Sequence, residues 1–251
     1  MKALILAAGY ATRLYPLTKD RPKALLEVRG KAILDYIASE IGTIDEIDEI
    51  IIISNDRFYG QFVQWADQAG DSFGRKITVI NDHTTDETNK LGAIRDMWYA
   101  IDSQKIDEDI VVIAGDNLFT YKLKDSYDLF RKSGRDLILA KNMQLMSDLQ
   151  RMAVGLLDEH GIIVDMEEKP KNPKSDIAFF ATYFYKRETL PMILEYLEQG
   201  NPPDAPGHFP AWLYMRKPVM AHLFDGECYD IGTFESYEDV RMNFKGGSKS
   251  Q

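Results

Sequence analysis

The stretch from Leu6 to Lys23, LAAGYATRLYPLTKDRPK, constrains this chain more than any other, because it sets a tight glycine turn and two cations directly after an apolar run. Ala3 to Ala7 show no polar alternation, which predicts a parallel strand covered on both faces. Gly9 ends that run. With Gly9, the small Ala11 and the hydroxyl of Thr12, the backbone N–H groups of Ala8, Gly9, Tyr10, Ala11 and Thr12 can turn toward an anion with no Cβ in the way. Arg13 and Lys23 supply positive charge, while Pro16 and Pro22 stiffen the loop so that less entropy is lost when a ligand orders it. The segment suits a nucleoside triphosphate. It is neither a Walker A loop, which needs Gly-Lys-Ser/Thr opening a helix, nor a dinucleotide fingerprint with G-x-G-x-x-G.

A chain of 251 residues with 45% apolar content can bury the core of one large α/β domain. Its formal charge of −10 argues against a nucleic-acid partner, since a phosphate backbone demands a basic face. An acidic protein that binds an anionic substrate must concentrate its cations locally or recruit a metal. Cys228 stands alone, so no internal disulfide and no multi-cysteine zinc site is available, and a reducing cytoplasm fits. Lys2 followed by the apolar residues 3–8 is too short for a signal peptide, and no run approaches the length of a bilayer span.

Apolar runs at residues 50–53, 77–80, 110–114 and 137–140 read as buried strands. Between them, residues 33–41, 58–68, 91–101 and 123–132 carry apolar side chains at helical spacing. Such alternation predicts an α/β, Rossmann-like, mostly parallel sheet with helices on both faces. Beyond Leu139 the pattern becomes hairpin-rich: residues 152–157, 162–166 and 177–185 read as strands, the first two joined by a turn at Asp158-Glu159-His160-Gly161. Tyr183, Phe184 and Tyr185 read as strand packing. Residues 187–198, 205–215 and 234–244 read as helices, and 219–224 as a late strand. We therefore expect one catalytic domain over 1–245, with a nucleotide-binding half at 1–140, an acceptor-binding half at 141–245 and a frayed tail at 246–251.

Ala114-Gly115-Asp116-Asn117 follows a strand, and ligands of parallel sheets bind beyond the carboxyl ends of strands. Asp230, in Tyr229-Asp230-Ile231-Gly232, follows a later apolar segment. Either acid could instead cap a helix, and spacing alone cannot bring them together. Met166-Glu167-Glu168-Lys169-Pro170 could be a solvated charged turn, and Leu91-Gly92-Ala93 an ordinary helix start. His83, His160, His208 and His222 are scattered without metal-ligand spacing and read as structural or solvent-exposed. Cys228 has no histidine close in sequence and reads as inert.

LAAG-x-x-TRL-x-PLT-x-x-x-PK, followed in order by GDN, EKP and D-x-G, closely resembles the sugar-phosphate nucleotidylyltransferases, which make nucleotide sugars and pyrophosphate. The resemblance implies the nucleotidyltransferase fold, with Asp116 and Asp230 sharing Mg²⁺. It implies that Arg13 grips the triphosphate, Lys23 faces the α-phosphate and Lys169 holds the sugar phosphate. Asn117 and Glu168 would contact the acceptor, and Leu91 with Gly92 the base. The acceptor is a phosphate monoester whose second ionisation lies near pH ~6, so no general base is needed. The motif set looks most like the dTTP- or UTP-using branch, in the cytoplasm, and leaves room for a homo-oligomer. Two rivals share the fold: a cytidylyltransferase acting on choline phosphate, and a nucleotide-sensing regulatory domain. The hexapeptide repeats that some relatives carry are not found after Asp230.

This chain departs from the family pattern at Ala11, where a second glycine is usual, and at Glu27, where proline is usual. Ala153 and Ala181 stand where glycines normally lie near the sugar. With the bulky Phe180, they predict a narrowed acceptor pocket that prefers a modified sugar phosphate or a smaller phosphorylated polyol to glucose 1-phosphate.

Overall fold

The computed structural model describes residues 1–246 and divides the chain into two compact units interleaved along the sequence. The first comprises Met1–Leu91, Ile113–Lys124 and Gly226–Gln251, the second Gly92–Val112 and Asp125–Asp225. Residues 247–251 of the expected tail lie outside the described residues.

In the first unit the strand Lys2–Leu6 pairs in parallel with Glu49–Ser54, which pairs in parallel with Lys76–Asn81. Ile50, Ile51, Ile52 and Ile53 are all buried, as a β-branched run covered on both faces should be. Each such side chain contributes about 1.5–3 kcal/mol on leaving water. The helix Asp56–Ala69 begins where the Asn55 side chain accepts the Phe58 N–H at 3.0 Å. Further along, the end of the strand Ile110–Ala114 is tied to the first strand by Gly115 N–H donating to Leu6 O at 2.9 Å. A short antiparallel pair, Asn117–Phe119 with Cys228–Asp230, follows. The last helix, Phe234–Asn243, is fastened by the Tyr237 hydroxyl donating to Glu27 O at 2.8 Å.

The second unit is built on antiparallel pairs. Ile177–Tyr185 lies between Asp136–Asn142 and Ala153–Leu157, and the latter pairs with Ile163–Glu168. Val219–Leu223 adds in parallel to Asp136–Asn142. A bridge between Ile162 and Met220 brings the ends of this series together. Tyr183, Phe184 and Tyr185 are buried, as expected of strand packing. Tyr185 and Tyr196 each meet Phe209 edge to face at 5.4 and 5.8 Å.

Some helix limits differ from the sequence reading. The segment expected at 187–198 opens with a tight 3₁₀ turn, Arg187–Thr189, before the α-helix Leu190–Glu198. Pro191 has no N–H to donate back to residue 187, so the first turn cannot be α. The short helix expected within 205–215 is His208–Leu213, and Pro206 disfavours a helical Ala205.

Candidate active site

The turn after the first strand is held from below by buried polar groups. Asn55 Nδ2 donates to Ala8 O at 2.9 Å, so the residue that caps the helix Asp56–Ala69 also fixes the turn. The Tyr10 hydroxyl is buried 3.1 Å from Thr84 Oγ1, and burial raises its pKa. Ala11 sits at φ 46°, ψ 42°, a left-handed conformation that costs an L-residue about 1–2 kcal/mol. Its carbonyl accepts from the buried Thr18 hydroxyl at 2.7 Å and from Leu14 N–H at 3.0 Å. The backbone thus keeps the shape that glycine would take freely. Above it, Gly9 is exposed, with no atom within 4 Å of where a Cβ would stand. Thr12 and Arg13 begin the short turn Thr12–Leu14, with Arg13 exposed.

Lys23 Nζ and Asp116 Oδ2 are 2.7 Å apart, with the lysine side chain only 11% exposed. This ion pair joins two residues that sequence reading singled out separately. Neither aspartate is a helix cap. Asp116 runs into the strand Asn117–Phe119, and the helix after Asp230 is capped by Thr233, whose hydroxyl accepts from Ser236 N–H. The register places Asp230 opposite Asn117, the immediate neighbour of Asp116. Among the described residues, no three His, Cys, Asp or Glu side chains form a metal cluster.

In the second unit, Glu168 ends the strand Ile163–Glu168 opposite Ala153. Its side chain is 14% exposed. Burial raises its carboxyl pKa, Lys169 and His208 pull it back, and Asp204 pushes it up. Lys169 is left-handed at φ 49° and donates its N–H to Met152 O at 3.0 Å. Its Nζ lies 3.7 Å from Glu168 Oε1, beyond hydrogen-bond range.

The companions of Glu168 were not legible in the sequence. A Cβ on Gly207 would stand 3.2 Å from Glu168 Cδ, closer still to Oε2, and 3.7 Å from the Ala153 methyl. The carboxylate therefore lies flat against a glycine, and Ala153 packs on the same spot. His208 Nε2 is 3.8 Å from Asp204 Oδ1. His208 thus belongs to the surroundings of a candidate site residue, whereas scattered spacing marked it as merely structural. The only trace in the sequence is the Asp204-to-His208 spacing, which does not point to Glu168.

Gly92 has φ 91°, and a Cβ there would meet Pro203 O at 2.8 Å. Ile94 N–H donates to that same oxygen at 2.9 Å. The helix accordingly starts at Ala93 rather than Leu91, which is half-buried. Ala181 is half-buried where the pairing of Ile177–Tyr185 with Asp136–Asn142 shifts register between Phe179 and Tyr183. Phe180 packs edge to face on Phe224 at 5.2 Å and is 7% exposed, so its bulk is spent in the core rather than on an acceptor pocket. His222 is structural: its Nδ1 lies 2.8 Å from Ser126 Oγ, and burial lowers its pKa.

The sequence matches the family model "Nucleotidyl transferase" over residues 2–246. The chain belongs to the nucleotidyl transferase family. A glucose-1-phosphate thymidylyltransferase of Streptomyces antibioticus is 34% identical over 185 residues, 74% of this chain and 49% of that protein. A UTP–glucose-1-phosphate uridylyltransferase of Haloferax volcanii is 26% identical over 74% of this chain and 72% of its own length. A Bacillus anthracis structure assigned as a glucose-1-phosphate thymidylyltransferase, in complex with sucrose, superposes with a TM-score of 0.80 at 26% identity, covering 96% of this chain and 94% of that one. The chain spans about half the length of the first of these relatives. The α/β nucleotidyl transferase fold expected from the motifs is the fold observed. No helix among the described residues is long and apolar enough to cross a membrane.

Proposed function

We propose that this nucleotidyl transferase moves a nucleotidyl group from dTTP or UTP to a sugar 1-phosphate, releasing pyrophosphate and forming a nucleotide sugar. The reading rests above all on one observation: in a family member, the Lys23–Asp116 ion pair and a strand-end turn with clear space above Gly9 lie in the same unit. A cytoplasmic location, where both substrates would be made, is part of the proposal.

Asp116 and Asp230 would hold Mg²⁺, because hard carboxylate oxygens suit that ion with water and phosphate oxygens as its other ligands, and the backbone register sets residue 230 opposite Asn117. When bound, the metal neutralises phosphate charge. The chain's own groups do the rest. Amides of residues 8–12 cradle the triphosphate and Arg13 grips the part that leaves as pyrophosphate. Lys23, whose ammonium lies beside Asp116, would neutralise charge at the α-phosphate. Lys169 holds the acceptor phosphate, while Glu168 and Asn117 accept from or donate to its hydroxyls. Leu91 and Gly92 flank the base, with the Gly92 backbone already fixed by Pro203. In-line attack on the α-phosphorus needs two polyanions neutralised and aligned, which is the demand these cations would meet. The acceptor oxygen is already anionic and needs no base.

Pyrophosphate release over a grid of triphosphates and phosphorylated acceptors tests the reading. We expect turnover with dTTP or UTP and a sugar 1-phosphate, lost with EDTA and restored by Mg²⁺. Preference for CTP with choline phosphate would make the protein a cytidylyltransferase. Nucleotide binding without pyrophosphate from any pair would make it a sensor.

A further inference from the structure

Glu168 is a mostly buried carboxylate whose ion-pair partner, Lys169, is itself largely exposed. Such a group is costly unless hydrogen-bonded. Lys169 Nζ, at 3.7 Å, is too far for a hydrogen bond, and the lysine side chain is 60% exposed. Below, Tyr183 is buried, and its phenol is pushed up by burial and by the Glu168 charge. With its ion-pair partner 3.7 Å away, Glu168 keeps oxygen lone pairs that can accept from a ligand hydroxyl.

Residues 203–208 lie against this carboxylate. The segment is anchored at one end, where Pro203 O accepts from Ile94 N–H at 2.9 Å. Near the other end Gly207 lies flat on Glu168, which puts the next residue, His208, beside the carboxylate, within reach of its charge. The His208 side chain is 30% exposed, so it is open to a ligand, and Asp204 Oδ1 lies 3.8 Å from Nε2 on the same segment. The charged and titratable groups around the spot are thus Glu168 and Lys169 from the strand end, Asp204 and His208 from the segment, and Tyr183 from the strand beneath.

We propose that His208 is a specificity-determining residue of the acceptor site, hydrogen-bonding the hydroxyl adjacent to the one that Glu168 accepts from. The inference rests on the proposed transferase reading and deepens it by naming a substrate class, an acceptor with a vicinal diol. Glu168 takes one hydroxyl as an acceptor of hydrogen bonds. The imidazole, which can donate or accept, takes its neighbour. An acceptor without that pair of hydroxyls, such as choline phosphate, leaves both groups unsatisfied.

The test uses the full chain and the best sugar 1-phosphate from the pyrophosphate grid. His208→Ala should raise the acceptor KM ~10-fold or more while the triphosphate KM and kcat move less than ~2-fold, the scale of a single lost hydrogen bond in a specificity pocket. His208→Gln, which keeps a hydrogen-bonding group, should recover most of the loss. Monodeoxy sugar phosphates should be discriminated less sharply by His208→Ala than by the wild type. An unchanged acceptor KM, or a parallel rise in both KM values, overturns the inference and leaves the transferase reading standing. If the wild type releases no pyrophosphate from any pair, the transferase reading has failed. Calorimetric titration with glucose 1-phosphate then decides separately: weaker binding to His208→Ala supports the role of His208, and equal binding or none overturns it.

Discussion

The phosphate turn near the N-terminus and the corner at Glu168 and Lys169 both place charge at the end of a strand, yet they are held in opposite ways. In the turn, buried groups find partners: Asn55 takes Ala8 O, Thr18 takes Ala11 O, and Lys23 takes Asp116. At Glu168 a carboxylate is buried against a glycine, beside a lysine in a left-handed conformation. One region is complete before any ligand arrives. The other buries a carboxylate whose ion-pair partner stays largely exposed, a charge that a ligand hydroxyl can solvate. Reading the two together separates preorganisation from recognition, and each can be perturbed alone.

The largest effect is expected at the ion pair. Asp116→Asn should cut turnover by ~10²-fold or more with the fold intact by circular dichroism, since it removes a proposed metal-binding oxygen and the ion-pair partner of Lys23. Full activity would remove Asp116 from the metal site. Next comes the anchor beneath the turn. Asn55→Ala deletes a cap and the hydrogen bond to Ala8 at once, and should cost about 2 kcal/mol in urea unfolding. A loss near zero would show the turn to be self-supporting.

Smaller changes probe the Glu168 corner. Gly207→Ala forces a methyl into the space of the carboxylate and should raise the acceptor KM by ~10-fold, with the triphosphate KM unmoved. Glu168→Gln gives a signed test of stability. The carboxyl pKa is raised above the usual carboxylate range, chiefly by burial. Folding therefore favours the protonated form, so Glu168's contribution is most favourable below its unfolded pKa and is lost as pH rises through the folded value. The glutamine variant should melt higher than wild type at neutral pH, with the gap closing as pH falls from the raised folded value toward the ordinary carboxylate one. A gap independent of pH would contradict the buried-charge account. The smallest effect is at Ala11→Gly. Relief of a left-handed residue, about 1–2 kcal/mol, is offset by glycine's extra freedom when unfolded, about 0.4–1 kcal/mol, which leaves a gain of about 0–1.6 kcal/mol.

The same contrast explains what could be read from the chain. The phosphate turn was legible because its cradle, its cations and its strand are consecutive, and the isoleucine run at 50–53 declares a buried parallel strand by itself. The pairing of Lys23 with Asp116 was not, since no local pattern reports a contact across the fold. Glu168 was found by its motif, but its burial comes from Gly207, which sequence reading passed over. The nearness of His208 to this corner was hidden for the same reason. Phe180 was read as crowding an acceptor, although strand alternation alone cannot say which face meets Phe224. The turn at Ala11 was noted as a departure from glycine, and only its φ shows that the chain kept the shape and bore the strain.

Gly92 carries a lesson for redesign. Its missing side chain and the Pro203 carbonyl claim the same space, and that carbonyl also holds the start of the helix Ala93–Ser103. The two stretches are a mortise and tenon, so a graft that exchanges the 199–208 loop for one of another length must bring a matching residue 92 with it. Transplanted alone, such a loop would either unseat the first turn of the helix or be pushed off Glu168, and a library built to alter acceptor choice should randomise both sites together.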